Sequence, residues 1–356
     1  MPPWRLLRLP WPDYASYRIS LNSAIGEAVA AGRSPPTLVL LRFLRSAVAA
    51  SYYPSLDHDL SLPYFRSANI PVARFLGGAG IGFIDRGMVV SMAYAPAARL
   101  PGSHGELLSR ALESVAEECN RRFGIASHYR APNDIQVGDR KFALASATLE
   151  GGLVNLAVDL QVPPPDIESI RKGLPLPPEK LADKSARGHD DRVSCLEREA
   201  GRKIAPEEVE EVLLASLGRA CGAAFEPGRV SEEEMEVSRA RQESLGSDAF
   251  QMARTERVRF GPSPRGERRE FRMKVPGGPF LRCVALREGP VLRDLLITGG
   301  IQCSPVEGVD RLEDALRGCR VEEVGARVGE FFRSGSVRVM GAGPETFTAL
   351  IRGAAG

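Results

Sequence analysis

Lysine is scarce in this chain, which makes each one conspicuous. Six of the 47 basic residues are lysines, and one of them, Lys141, closes the segment Asn133-Asp134-Ile135-Gln136-Val137-Gly138-Asp139-Arg140-Lys141. An ammonium group can neutralise phosphate or carboxylate charge, and an Asn-Asp pair one hairpin away can orient a nucleotide and a metal-bound phosphate. Upstream, glycines gather in Arg74-Phe75-Leu76-Gly77-Gly78-Ala79-Gly80-Ile81-Gly82-Phe83-Ile84-Asp85. Here Gly77, Gly78, Ala79 and Gly80 carry no side chain larger than a methyl, so backbone N–H groups could approach an anion closely. No Gly-Lys-Ser/Thr follows, so this is not a Walker loop. Strand-like residues follow rather than a helix, which argues against a dinucleotide fingerprint. Taken as residues alone, the lysine segment is also consistent with a solvated turn, and the glycine segment with a hairpin that holds no ligand.

These segments must be carried by regular elements. Apolar spacing predicts a helix over 19–29, with Leu21, Ala24, Ile25 and Ala28 on one face, and a buried strand over 37–41. A helix over 56–68 is expected to be broken by Pro63. Strands flank the glycine segment, entering through Arg74 and leaving over 87–92. The clearest helix begins at Ser103, where Ser103 and Glu106 form a capping box, and ends at Gly124. Strands are predicted over 135–137, 141–149 and 153–160, with turns at Gly138-Asp139 and Gly151-Gly152. Helices follow over 166–172 and 206–221, with Pro206 suited to the first position. Ser231 caps another. Polarity rises over 254–269 like a boundary. Three strands and two helices beyond it make a small α+β module.

Composition narrows the class. A hydrophobic content of 43% with 26% charged residues describes an ordinary globular protein, and a net charge of +2 gives no support for a nucleic-acid binder. No apolar run approaches the roughly 18 residues of a membrane span. Met1 to Arg8 lacks the apolar core of a signal peptide. Six cysteines, none at C-x-x-C spacing, fit reduced thiols. A cytoplasmic protein without membrane or nucleic-acid partners is expected. Asp57-His58-Asp59 and His189-Asp190-Asp191 lack ligand spacing for a protein-held metal.

Both segments resemble, in order and spacing, the lipoate–protein ligase A family. That family carries an arginine pair, a serine, three glycines and a histidine–aspartate in the first segment. In the second it carries an Asn-Asp pair, the lysine and a small-residue run. The resemblance continues through Asn22 and Glu27, Leu176 to Lys184, Asp191 to Leu196, Asp294 to Gly300 and Leu312 to Cys319. It implies an α+β fold, a mixed β-sheet with flanking helices shared with biotin–protein ligases, and a small C-terminal α+β accessory domain. The corresponding division is 1–250 catalytic and 251–356 accessory. It also implies a reaction: lipoate and Mg-ATP give lipoyl-AMP, and the lipoyl group passes to a lysine of an acceptor domain. The acceptor would be of the 2-oxoacid dehydrogenase E2 or glycine cleavage H protein type. The cofactor set is ATP, Mg2+ and lipoate.

Carried over position by position, Lys141 matches the essential lysine. Arg74, Gly77, Gly78, Ala79, Gly80, Ile81, Gly82, Phe83, Asp85, Asn133, Asp134 and Ala145 fall on the ATP and lipoyl-AMP site. No metal is expected to be held by protein alone. Departures from the pattern are Phe75 for the second arginine, Gly77 for the serine, Ala79 for the central glycine, Ile84 for the histidine, and Gly151-Gly152-Leu153 for a downstream His-Gly-Thr. They remove a bidentate phosphate contact and make the pocket more apolar. Two alternatives follow: a non-catalytic paralogue that binds lipoyl protein or nucleotide, and a ligase for another acid such as octanoate or biotin. Some superfamily relatives transfer octanoyl groups through a cysteine nucleophile. Here Cys119 lies in a core-facing helical stripe, where a thiol is ordinarily inert.

Overall fold

The computed structural model describes residues 3–78, 80–175, 193–276 and 278–356. Ala79, the Leu176–Lys184 segment, His189-Asp190-Asp191 and Arg192 lie outside the described residues. By contacts the chain forms two units, 1–48 with 83–171 and 186–244, and 49–82 with 172–185 and 245–356.

The chain opens with β1 (Trp4–Trp11), α1 (Tyr14–Ile19), α2 (Leu21–Ala30), β2 (Thr37–Phe43) and β3 (Ala47–Ala50). Next come α3 (Leu62–Ser67), β4 (Val72–Arg74), β5 (Ile81–Ile84), β6 (Val89–Pro96) and α4 (His104–Phe123). A run of strands follows: β7 (Ser127–Arg130), β8 (Asp134–Val137), β9 (Arg140–Glu150) and β10 (Leu153–Leu160). Then come α5 (Ile167–Gly173), α6 (Leu196–Ala200), α7 (Pro206–Cys221), β11 (Phe225–Pro227) and α8 (Glu232–Leu245).

The first unit is built on an eight-stranded mixed sheet of order β11-β1-β2-β6-β10-β9-β8-β7. β1 runs parallel to β2 and β11, while β2-β6-β10-β9-β8-β7 pair antiparallel. One face is closed by α4 and α7. Leu107, Ala111, Leu112, Val115 and Cys119 of α4 and Val209, Val212, Leu213 and Leu217 of α7 pack with Leu38, Leu40, Ala93, Ala145, Leu156 and Val158 of the sheet. The capping box at Ser103 and Glu106 and the left-handed Gly124 bound α4 as its sequence requires. Pro206 begins α7, with Glu207 and Glu208 in its first turn. The other sheet face presents Tyr94, whose hydroxyl meets Tyr17 of α1 at 3.0 Å and donates to Asn22 of α2 at 2.8 Å. Asn22 is thereby spent on holding a helix to the sheet.

In the second unit α9 (Asp248–Gln251) and α10 (Glu256–Phe260) precede a three-stranded antiparallel sheet, β12 (Glu267–Lys274), β13 (Phe280–Glu288) and β14 (Val291–Gly299). The helices α11 (Gly308–Leu316), α12 (Val324–Arg333) and α13 (Pro344–Ala355) complete its core through Leu312, Leu316, Val328, Phe347, Leu350 and Ile351.

Four local features differ from the sequence reading or lie outside it. The N-terminal segment is a strand, β1, because Leu6 and Leu7 are buried and its register follows β2 despite Pro10 at its far end. Pro63 does not break a helix over 56–68; it sits in the first turn of the shorter α3, where a missing N–H costs nothing. The polar stretch 254–269 starts with a buried residue. Arg254 is buried, and its Nη1 and Nη2 bond Asp310 at 2.6 Å, Glu313 at 2.9 Å and the Ile297 carbonyl at 2.6 Å. The last helix, α13, adds to the two helices expected beyond residue 269; its buried Phe347, Leu350 and Ile351 hold it to that core.

Candidate active site

The lysine segment lies in the first unit, and its geometry begins with a bulge. Val137 pairs with Arg140 and Gln136 with Lys141, but Ile135 pairs with Ala143, so Phe142 has no opposite partner. The extra residue lets Phe142 and Ala143 both enter the core while the Lys141 side chain stays part exposed. The Lys141 side chain is 30% exposed, and its Nζ lies 3.5 Å from Asp134 Oδ1. A pair that long and that wet is worth less than about 1 kcal/mol, so it orients the ammonium without consuming its charge. Asn133 Nδ2 donates to the Ala145 carbonyl at 2.9 Å, tying the start of β8 to β9. Ala145 is buried and pairs with Val158 of β10. Lys141, Asp134, Asn133 and Ala145 are therefore brought together.

The glycine segment spans a three-stranded sheet of order β4-β3-β5, through which the boundary between the units runs. Arg74, Gly77, Gly78, Gly80, Ile81 and Gly82 fall in the second unit, whereas Phe83 and Asp85 fall in the first. Gly77, Gly78 and Gly80 have φ of +81°, +75° and +114°, the region that side chains disfavour. At Gly78 a Cβ would also lie 3.1 Å from the Phe75 ring and 3.3 Å from Ser51 Cβ. The loop end is sewn to β3: Ser51 N–H donates to the Gly80 carbonyl at 2.8 Å, and Gly80 N–H donates to Ser51 Oγ at 2.8 Å. Phe75, Phe83 and Ile84 are buried, and Leu76 is exposed.

Arg74 is wholly buried. Its Nε donates to the Gln251 carbonyl at 3.0 Å and its Nη1 to the Pro54 carbonyl at 2.8 Å, with a further contact to the Tyr52 carbonyl. The Gln251 side chain closes the cage by bonding the Arg74 N–H at 2.6 Å and its carbonyl at 3.0 Å. Nη2 has no partner among the described residues. Burial, with the positive charge of Arg254 adding to it, brings the guanidinium down to about 10, still protonated at neutral pH. Asp85 is also committed: its carboxylate accepts from the Asp166 N–H at 3.0 Å and the Ser46 hydroxyl at 3.3 Å.

All six cysteines are free, and five are buried. Burial pushes the Cys119 and Cys221 thiols up to about 12, and the half-buried Cys303 up to about 11. None has the depressed thiol a nucleophile needs. His58 Nδ1 lies 3.1 Å from Asp59 Oδ1, a local pair on the surface. One carboxyl escapes a reading of the sequence. Asp159 of β10 is buried on the sheet face that carries Tyr94, its Oδ1 has no partner among the described residues, and burial raises it to about 7 against the pull of Arg18. Its apolar strand context hides it. Among the described residues, no helix is long and apolar enough to cross a membrane.

Residues 15–218 match a family described as the lipoyl protein ligase A/B catalytic domain. An octanoyltransferase LipM of Kyrpidia tusciae is 23% identical over 268 residues, covering 67% of this chain and 94% of the relative. A bi-partite lipoate protein ligase of Thermoplasma acidophilum, described with its E2 lipoyl domain, superposes with a TM-score of 0.60 at 19% identity, covering 70% of this chain and 96% of that one. LipL1 of P. falciparum, solved in complex with lipoate, superposes with a TM-score of 0.67 at 12% identity over 98% of each chain. At such identities the structural likenesses establish the fold: a large mixed sheet flanked by helices, with further C-terminal sheets.

Proposed function

The chain belongs to the lipoyl protein ligase A/B catalytic domain family, and from that premise we propose that it is an ATP-dependent lipoate–protein ligase. Residues 1–250 would be its catalytic part and 251–356 its accessory part. A lipoate carboxylate oxygen attacks the α-phosphorus of Mg-ATP, the bond to the β-phosphate breaks, and pyrophosphate leaves. The amine of an acceptor lysine then attacks the acyl carbon of lipoyl-AMP, AMP departs, and the amine loses a proton. The acceptor is a lipoyl domain of the E2 or H-protein type.

The observation that carries this reading is the state of Lys141: an ammonium beside a strand bulge, part exposed, and among the described residues held loosely by Asp134. Such a charge can move from a carboxylate to an acyl phosphate and stabilise the charge that develops there in both steps. Asn133 and Ala145 set the backbone beside it. Gly77, Gly78, Ala79 and Gly80 are assigned to the phosphate and carboxylate through their backbone, with Ile81, Gly82 and Phe83 continuing that wall. Arg74 is assigned to holding the segment, its Nη2 being the donor left for a ligand oxygen. Asp85 acts from behind the site, through the backbone it anchors.

A second reading, octanoyl transfer, is favoured by the name of the Kyrpidia relative. If it ran through a cysteine thioester, it would need a thiolate, and burial raises Cys119, Cys195, Cys221, Cys283, Cys303 and Cys319 alike. That weighs against a thioester on any of these cysteines. Octanoate remains a candidate acid for the ligase itself. The deciding experiment is pyrophosphate release from Mg-ATP with lipoate, octanoate or biotin. Acid-dependent release supports the ligase. Silence with all three, alongside acyl transfer from a preformed octanoyl thioester, would replace it with the second reading.

A further inference from the structure

The backbone of Lys141 is clamped from the side opposite its hairpin. Val193 forms a parallel bridge with Lys141, and the fully buried Ser194 donates its N–H to the Lys141 carbonyl at 2.8 Å. The Ser194 hydroxyl donates to Glu199 Oε1, and Arg140 Nη2 donates to that same oxygen at 2.9 Å. One carboxylate oxygen thus holds the residue just before the lysine and the residue bonded to the lysine's carbonyl.

The anchor of that carboxylate is itself fixed. Glu199 lies on α6, whose Leu196 and Glu197 N–H groups donate to the carbonyls of Gln161 and Val162 at 2.9 and 3.0 Å. Leu196 is wholly buried, and Cys195 Sγ accepts from the Arg198 N–H at 3.4 Å. Only 9% of the Glu199 side chain is exposed. Burial alone would push its carboxyl up; the Ser194 hydroxyl and the Arg140 guanidinium outweigh that and hold it below its usual range. Glu199 therefore stays ionised at neutral pH and pairs with the Arg140 cation.

A bulged strand end is where a ladder loosens first, because the extra residue interrupts its hydrogen bonds. β9 is bulged at Phe142, next to the lysine that the proposed chemistry depends on. We propose that Arg140, Glu199 and Ser194 form a positioning device for Lys141, fixing the bulge so that its ammonium is presented in one direction. These three are positioning residues: they act through Lys141 and touch no reacting atom. The inference rests on the ligase reading only for the effect on turnover.

The test uses the full chain as Glu199→Gln and Ser194→Ala, with two readouts. The first is trace acetylation by an N-hydroxysuccinimide ester, with Lys141 quantified against Lys172 and Lys274 by peptide mapping. The second is steady-state pyrophosphate release. Glu199→Gln keeps the shape and removes the charge; Ser194→Ala removes one hydroxyl and covers the case in which the first variant fails to fold. Labelling of Lys141 relative to the two reference lysines should change by about threefold or more. The kcat should fall on the order of tenfold with KM for ATP within about twofold, as expected when a reacting group is misplaced while substrate binding is preserved. Unchanged relative labelling overturns the inference. So does labelling that rises equally at all three lysines, since that is general loosening. If the wild type releases no pyrophosphate with any acid, the ligase reading fails, and the labelling ratio still decides whether the clamp positions Lys141.

Discussion

Arg74 and Lys141 are both cations in segments that resemble one family's site, yet the chain uses them in opposite ways. Arg74 is wholly buried and gives two of its side-chain nitrogens to carbonyls of Tyr52, Pro54 and Gln251. Lys141 is part exposed and, among the described residues, pairs with Asp134 at 3.5 Å. The first charge is committed to holding backbone in place, and the second is available. A buried charge with most of its donors engaged stabilises by making its loss costly, whereas a loosely paired one can exchange partners. Matching a cation to a motif therefore does not say whether it meets the ligand or builds the wall.

Breaking each partner separately tests that contrast. Lys141→Ala should have the largest effect on function, a loss of pyrophosphate release of about a thousandfold, or ~4 kcal/mol in activation free energy. Its melting temperature should match the wild type. Arg74→Met should do the reverse in kind. By leaving the Pro54 and Gln251 carbonyls unsatisfied it should lower stability by about 3 kcal/mol in urea unfolding. A melting curve unchanged by Arg74→Met would mean the carbonyl cage carries no stability. Gly78→Ala should cost about 1–2 kcal/mol, combining a +75° φ with close approaches to Phe75 and Ser51, and Gly77→Ala less, since nothing lies within 4 Å of a Cβ there.

The smallest effect concerns Asp159, a buried carboxyl with neither role. Its carboxyl titrates at about 7 when folded, against 3.8 ordinarily, because burial penalises the anion. The folded state thus binds this proton more tightly. The resulting stability is complete below about pH 4 and is lost as pH rises through 7. Asp159→Asn should raise the melting temperature at pH 8 by a few degrees and leave it nearly unchanged at pH 4. Equal shifts at both pH values would show that Asp159 is not the titrating group.

What is legible in the sequence is local. Ser103 and Glu106 announce α4 because both partners of the capping box lie within one turn. The hairpin at Gly151-Gly152 is readable because its turn and both strands are contiguous. The mixed sheet with flanking helices is accessible through the family resemblance. The missing parts depend on distant residues. β1 becomes a strand by pairing with β2 and β11, and its two arginines and one proline give no alternation to read. The cage around Arg74 cannot be read in sequence, because Gln251 lies 177 residues away. Glu199 gives no signal in sequence, since its meaning comes from meeting Arg140 across 59 residues.

The most direct measurement is ATP–pyrophosphate exchange: labelled pyrophosphate, ATP and Mg2+, with and without lipoate or octanoate, for the wild type and Lys141→Ala. The account predicts label entering ATP only when an acid is present, and no exchange above background in the variant. Exchange that survives Lys141→Ala would contradict the role given to this lysine. Absence of exchange in the folded wild type with either acid would contradict adenylation itself.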